Sequence, residues 1–235
     1  MPLARGSLDK VLQDVKNMLF HDRYDAGKRL AEKLEAYRGQ NVEVFAMPRG
    51  GVPLGAEIAG SLKVPLNLII TKKIGHPHNP EYAVGAVSEM GSVVYNQDEI
   101  SEISPLWLEQ EIKNLREEIN RRRSVYLPGR CPTDLGGKTV VIVDDGIATG
   151  YTMAAAIEDL KKTKPTKIVV AIPVVPEEIA LRIAGSVDEL VSLRIEKFYL
   201  GAVGSYYENF SQLQDAEVIA LLSSSKEGAG AKAID

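Results

Sequence analysis

The sequence predicts an α/β fold built on a doubly wound parallel sheet. Short apolar runs alternate with segments of helical periodicity, which is the pattern of strands and crossover helices in such a sheet. Residues 140–143 are four consecutive apolar residues, as expected for a strand covered on both faces. Polar or glycine-rich sequence follows Met47, Thr71 and Val143, where predicted strands end. Because ligands bind at the carboxyl ends of parallel strands, these loops predict one shared site.

The secondary structure follows from periodicity and from capping signals. Asp22 is expected to cap a first helix, and Ser104 with Pro105 to begin a long one. Strands are expected at residues 42–47, 66–71, 83–87, 92–95, 139–143, 167–172 and 189–193. Further helices are expected at residues 52–62, from Met153 onward, at residues 176–184 and at residues 215–222.

Composition limits the class of protein. The chain has 235 residues and a net charge of -4, which suits one domain and argues against a nucleic-acid binder. A single cysteine, Cys131, excludes an intrachain disulfide framework and fits a reducing, cytoplasmic location. The amino terminus lacks the apolar run of a signal peptide, and no stretch is long enough to cross a membrane. We expect one domain over residues 1–222 and a flexible polar tail over residues 223–235.

The segment from residue 139 to residue 153 carries the clearest functional signal. An apolar strand is followed by Asp144 and Asp145, a loop with two glycines and two threonines, and then a helical pattern. Loop amides and a helix N-terminus suit an anion, and paired carboxylates suit sugar hydroxyls or a hydrated cation. This block resembles the 5-phosphoribosyl 1-diphosphate (PRPP) motif of the type I phosphoribosyltransferases. The alternative is an ordinary strand-to-helix turn.

The resemblance extends over much of the chain, from about Asp22 to Leu222. The segments PRGG, KKIG-x-x-x-NPE, VVIVDDGIATG and AVGSYYENF are similar to a group of phosphoribosyltransferases whose substrate is unassigned. The resemblance implies that Asp144 and Asp145 are catalytic and hold the ribose hydroxyls. The alternative for these acids is a charge pair that stabilises a helix dipole. The residues implied in ribose and 5-phosphate binding are Asp144, Asp145, Gly146, Ile147, Ala148, Thr149, Gly150, Tyr151 and Thr152. For the threonines, helix capping is the alternative.

Two further loops are implied in pyrophosphate binding. The first holds Arg49, Gly50 and Gly51, where small residues let backbone amides approach the oxygens and Arg49 adds charge. The second holds Lys72 and Lys73. The alternatives are a plain turn for the first loop and a solvated strand end for the second.

Residues 74–89 are expected to form a mobile loop over the site. Glu81 is a third candidate catalytic residue, because a Glu-Tyr pair in adenine phosphoribosyltransferase loops is similar to Glu81-Tyr82. The alternative for Glu81 is a surface residue.

His76 and His78 are not expected to bind metal, because no further cysteine or histidine cluster completes a site. Mg²⁺ is expected as a cofactor that arrives with PRPP and has no direct protein ligand.

The remaining predictions concern the two added segments. Residues 74–130 are expected to hold the mobile loop and a helical insertion, and residues 195–222 a hood over the acceptor. Phe198, Tyr199 and Tyr206 are candidates for stacking on a base, with a packing cluster as the alternative. The three arginines at residues 121–123 are interpreted as cations at a helix C-terminus.

The function that the resemblance implies is Mg-dependent pentosyl transfer in nucleotide metabolism. A 5-phosphoribosyl group would pass from PRPP to a small nitrogen-containing acceptor, a nucleobase, with release of pyrophosphate. Ala148 stands where enzymes for 6-oxopurines usually carry an Asp, which disfavours those acceptors. The alternatives are a non-catalytic PRPP- or nucleotide-binding regulator and a ligand-free interaction protein. A homodimer is common in this fold family, and neither nucleic acid nor membrane is an expected partner.

Overall fold

The computed structural model describes residues 19–129 and 134–230, without the side chains of residues 226–230. The strands are β1 (Val42–Ala46), β2 (Leu66–Leu68), β3 (Thr71–His76), β4 (Asn79–Ser88), β5 (Val93–Tyr95), β6 (Thr139–Val143), β7 (Lys167–Pro176) and β8 (Glu189–Glu196). The α-helices are α1 (Arg23–Lys33), α2 (Gly51–Leu62), α3 (Gln97–Ile100), α4 (Pro105–Tyr126), α5 (Tyr151–Lys162), α6 (Glu177–Ala184) and α7 (Asp215–Gly230). Cys131 lies outside the described residues.

The central sheet has five strands in the order β2-β1-β6-β7-β8, and each neighbouring pair is parallel. The predicted doubly wound parallel sheet is therefore confirmed. The chain crosses from β2 on one side of β1 to β6 on the other side. The junction of β1 and β6 is thus the switch point, where open sheets of this kind bind ligands.

Helices cover both faces of this sheet. Val141 packs in one apolar layer with residues of α1, α2 and α7, such as Leu30, Ile58 and Val218. Ile142, its neighbour on β6, packs in the opposite layer with residues of α5 and α6. Successive side chains of a strand point to opposite faces, so β6 needs apolar residues throughout. Both layers fix the position of the loop that leaves β6.

Both predicted helix starts are confirmed, but the capping agrees with the sequence in only one of them. Asp22 caps α1, and its Oδ1 accepts a hydrogen bond from the amide of Asp25 at 2.9 Å. α4 begins at Pro105 after Ser104, as expected, but among the described residues no side chain caps it. The preference of Pro for the first helical turn marks this start instead.

The segment after β2 differs from its prediction. The apolar run at residues 66–71 is not one strand: β2 ends at Leu68, and Thr71 begins β3. β3, β4 and β5 form a separate antiparallel sheet. Ile69 and Ile70 in the connection are buried, so the apolar pattern runs through a change of direction that periodicity alone does not reveal.

The predicted mobile loop contains regular structure. β3 and β4 form a hairpin whose pairing shifts register at Gly75, where a Cβ would collide with the carbonyl oxygen of Pro80. The glycines and prolines that suggested an irregular loop therefore serve a bulged hairpin. Whether this hairpin moves over the site stays a prediction.

The carboxyl end of the chain also differs in extent. α7 continues to Gly230, past Leu222, where we expected the final helix to end. The domain boundaries, the hood and the flexible tail stay predictions. No helix in the described parts of the chain combines the length and apolar character needed to cross a membrane.

Candidate functional site

The loops after β1 and β6 lie against each other at the switch point. The amide of Met47 donates to the carbonyl oxygen of Val143 at 2.9 Å. A Cβ on Gly50 would collide with Oδ2 of Asp145, so only glycine allows this approach. The peptide bond between Pro48 and Arg49 is cis. The first loop is thus in direct contact with the acidic pair, as the shared-site prediction requires.

Asp145 is built into the protein interior. Its Oδ2 lies 2.8 Å from Nε of Arg23, and the two side chains are 14% and 10% exposed. The hydroxyl of Tyr207 donates to the backbone oxygen of Asp145 at 2.6 Å. Burial raises the pKa of the Asp145 carboxyl, and the charge of Arg23 opposes that rise. These contacts hold Asp145 in one orientation beside Gly50.

Asp144 has a different environment. It is half-buried, and its Oδ1 accepts a hydrogen bond from the amide of Asp145 at 2.9 Å. Burial, followed by the neighbouring charge of Asp145, raises the pKa of Asp144 well above its ordinary value. These surroundings disfavour the ionised form; once ionised, the Asp144 carboxylate can accept hydrogen bonds from a diol.

The loop from Gly146 to Gly150 is pinned at several points. The amide of Ile147 donates to the carbonyl oxygen of Val174 at 3.0 Å. Nη2 of Arg182 donates to the carbonyl oxygen of Thr149 at 2.7 Å. Gly150 has φ +79° and is the N-cap residue of α5, so neither predicted threonine occupies the capping position. Ala148 and Thr149 are exposed at the tip of the loop.

The beginning of α5 therefore suits an anion. Among the described residues, no side chain caps this helix, so its first-turn amides are not engaged by such a cap. Helix N-termini carry a partial positive charge that favours phosphate. Asp144 lies at the other end of the same short loop, which places a diol acceptor near the N-terminus of this helix.

The two lysines predicted at the second loop have different environments. Lys72 is half-buried, and burial, followed by the charge of Arg122, lowers its pKa. Lys73 is exposed and forms an ion pair with Glu81 at 2.8 Å. Nη1 of Arg49 lies 3.4 Å from Oδ1 of Asp215, the first residue of α7.

Glu81 lies on the hairpin with its side chain 91% exposed. Its carboxylate contacts Lys73, which belongs to the paired strand. The rings of His76 and His78 lie 5.6 Å apart on the same hairpin. Among the described residues, no group of three or more His, Cys, Asp or Glu side chains is arranged to hold a metal ion.

The three candidate aromatic residues differ in accessibility. Phe198 is 88% exposed, whereas Tyr206 is 2% exposed. Tyr199 stacks on Tyr206 with ring centroids 5.4 Å apart. The oxygen of Tyr206 accepts a hydrogen bond from the amide of Leu200 at 2.9 Å. The packing alternative thus describes Tyr199 and Tyr206, and Phe198 has an open face.

Several residues of the site were not predicted as site residues. Arg23 pairs with Asp145, donates to the carbonyl oxygen of Ser211 at 2.8 Å and lies 3.8 Å from the ring centroid of Phe210. Tyr207 lies in the segment AVGSYYENF, but nothing in that segment indicates its contact with Asp145. Asp22 predicted that α1 begins near Arg23. No local sequence pattern, however, indicates that Arg23 pairs with Asp145, which is more than a hundred residues away.

Comparison with known proteins identifies the family. The profile of the phosphoribosyl transferase domain matches residues 16–206. This match spans the acidic pair, both loops and the hairpin. The chain therefore belongs to the phosphoribosyl transferase family, and its motif and fold are those of a type I member.

Individual relatives agree with this assignment. A Mycobacterium tuberculosis H37Rv protein, provisionally named a phosphoribosyl transferase, is 40% identical over 220 residues, which are 92% of this chain and 49% of that protein. A protein of strain CDC 1551 with the same provisional name matches equally. The chain thus spans about half the length of these curated relatives. The crystal structure of TT1426 from Thermus thermophilus superposes with TM-score 0.73 at 36% identity, over 88% of this chain and 99% of that one.

Proposed function

We propose that the protein transfers a 5-phosphoribosyl group from PRPP to a nitrogen nucleophile, a nucleobase, and releases pyrophosphate. The observation that carries this proposal is the contact between Gly50 and Asp145 at the switch point. This contact joins the acidic pair and the loop of residues 146–150, which follow β6, to the loop of Arg49, Gly50 and Gly51 that follows β1, here called the glycine loop. A sugar phosphate and a diphosphate are thereby offered adjoining sites.

The two aspartates take different roles in this proposal. Asp144 accepts hydrogen bonds from the ribose hydroxyls, since its carboxylate lies at the rim of the loop. Asp145 holds the glycine loop in place, because it is already engaged by Arg23. The loop from Gly146 and the first turn of α5 bind the 5-phosphate. Arg49 and Lys72 contact the diphosphate.

The bonding changes in this reaction are simple. The bond between the anomeric carbon and the diphosphate oxygen breaks, and its electron pair leaves with pyrophosphate. The acceptor nitrogen forms a bond to the same carbon from the opposite face, and its proton passes to water or to the released pyrophosphate. Positive charge develops on the sugar, and the carboxylate of Asp144 stabilises it. The protein contributes mainly position and electrostatics.

Mg²⁺ is proposed to arrive with the substrate. It binds through few protein carboxylates together with substrate phosphates, so a site without a dedicated metal cage fits it. When bound, it neutralises charge on the leaving pyrophosphate.

The acceptor is proposed to be a base that does not need an acid at residue 148. Ala148 is exposed at the loop tip and cannot transfer a proton. Adenine and uracil are therefore favoured over 6-oxopurines. The open face of Phe198 offers a surface on which a flat base can stack.

A cytoplasmic location and a homodimer also belong to the proposed function. Light scattering tests whether the protein is a homodimer.

Pyrophosphate release from PRPP and Mg²⁺ tests the function, with adenine, uracil, 6-oxopurines, orotate and small amines as acceptors. The Asp144→Asn, Asp145→Asn double variant is the inactive control. Acceptor-dependent release that disappears in the double variant is expected. Tight PRPP binding without release from any acceptor would favour a regulator, and absence of both would overturn the site.

A further inference from the structure

α4 is the helical insertion, and its last turn reaches the glycine loop. The hydroxyl of Tyr126, the last residue of α4, donates to Oδ1 of Asp215 at 2.6 Å. Nη1 of Arg49 lies 3.4 Å from the same oxygen. One carboxylate of α7 therefore joins the end of the insertion to the arginine that we place at the diphosphate.

A stripe along α4 brings an additional cation to this position. Glu118, Arg122 and Tyr126 are spaced four residues apart, so they lie on one face of the helix. Nε of Arg122 contacts Oε1 of Glu118 at 2.8 Å, and the Arg122 side chain is only 20% exposed. The pair with Glu118 holds the Arg122 side chain along the face of α4 that ends at Tyr126, and the charge of Arg122 acts on Asp215.

The cations around this turn exceed the carboxylates that join them. Arg49, Arg121 and Arg122 each act electrostatically on Lys72, while Glu118 and Asp215 are the acidic side chains that contact these arginines among the described residues. Holding like charges together is unfavourable, and a bound polyanion relieves that repulsion. Such a cluster beside the glycine loop suits a ligand with several negative charges.

We propose that α4 completes the diphosphate site: Arg122 is a third cation for the diphosphate, beside Arg49 and Lys72, and Asp215 is the internal anion that the diphosphate displaces from Arg49. This inference rests on the proposed function. It gives the helical insertion a binding role that the motif loops do not contain. It also explains why an acidic residue opens α7 at this point, since Asp215 neutralises the cluster when no diphosphate is present.

Titration of Mg-pyrophosphate into the full chain by calorimetry tests the inference. Arg122→Gln is expected to weaken pyrophosphate binding by roughly tenfold or more, the scale of one hydrogen bond to a charged group. Asp215→Asn is expected to tighten binding several-fold, because a competing anion is removed. Arg116→Gln is the matched control: it changes the same residue type on α4, and Arg116 is exposed with a contact to the carbonyl oxygen of Gly91.

The variants must remain folded, which circular dichroism checks. Binding by Arg122→Gln equal to the wild type would overturn this inference and leave the proposed function intact. Failure of the wild type to bind pyrophosphate would overturn both.

Discussion

Two aspartates show how the surroundings of a buried carboxyl group decide the direction of its pKa shift. Burial, with the charge of Asp145, raises the pKa of Asp144. Asp159 on α5 is also buried, which alone would raise its pKa, but hydrogen bonds from Ser92 and Lys162 outweigh burial and lower it. The amides of Met90 and Ser92 donate to its two oxygens at 2.6 and 3.0 Å. The ionised carboxylate of Asp159 therefore stabilises the folded state, whereas ionisation of Asp144 destabilises it.

Asp144→Asn should make the protein more stable and less active. A raised pKa means that the folded state holds its proton more tightly than the unfolded state, so stability falls as pH rises from the unfolded pKa to the folded pKa. The amide removes that cost at neutral pH and can keep the contact with the amide of Asp145. A gain of about 1 kcal/mol would raise Tm by roughly 2–4 °C.

The same variant should lose roughly 10- to 100-fold in kcat/KM, because a hydrogen bond to a charged group is lost. Thermal unfolding at several pH values and the pyrophosphate assay measure both effects. A variant that is less stable at neutral pH and fully active would contradict this role for Asp144.

Asp159→Asn should have the opposite effect on stability. A lowered pKa contributes stability that is present above the unfolded pKa and is lost as pH falls through the folded pKa. We expect a loss of about 1.5–3 kcal/mol at neutral pH, the scale of hydrogen bonds to a charged acceptor. Urea unfolding should show this difference shrinking at acid pH; a difference that does not depend on pH would contradict the assignment.

Arg23→Gln should be strongly destabilising. It leaves the mostly buried carboxylate of Asp145 without its cation, which costs about 3–5 kcal/mol. The variant raises the folded pKa of Asp145, so the loss should be greatest at neutral pH and diminish as Asp145 becomes protonated. Arg29→Gln on the same helix is the control, since its pair with Asp25 is more exposed and worth about 0–1 kcal/mol. Equal losses in the two variants, measured by urea unfolding, would refute the role of Arg23.

At the scale of elements, the hairpin of β3 and β4 is the segment that we expect to move over the site. Glu81 pairs with Lys73 on the outside of this hairpin. If the hairpin closes on the ligand, Glu81→Gln should lower kcat without weakening PRPP binding, because the carboxylate acts only in the closed state. Steady-state kinetics beside a PRPP titration separates the two. Unchanged kcat would leave Glu81 as a surface residue.

The elements also show what sequence patterns can and cannot predict. The apolar run of β6 predicts a buried central strand, because both of its faces need apolar residues. Residues 66–71 are equally apolar, yet they turn from the parallel sheet into the hairpin between Leu68 and Thr71. The strands expected at residues 83–87 and 92–95 lie within or overlap β4 and β5, but their antiparallel pairing was not predicted, because an apolar pattern records burial and not strand direction.

At the scale of the whole molecule, the position of the site was predictable and its supports were not. Asp144 and Asp145 belong to a local motif at the end of a strand, which fixes the edge of the sheet where they lie. Arg23, Tyr207 and Asp215 reach this edge from both ends of the chain. Such contacts depend on how helices pack on the sheet, and no spacing in the sequence encodes them.

The central claim is that the switch-point loops bind PRPP. Calorimetric titration of PRPP with Mg²⁺ into the wild type and into Asp144→Asn tests it most directly, because this variant is expected to keep its fold. We predict saturable binding to the wild type at one site per chain, and affinity lowered by roughly tenfold or more in the variant. Equal binding by both proteins, or no binding by the wild type, would contradict the account.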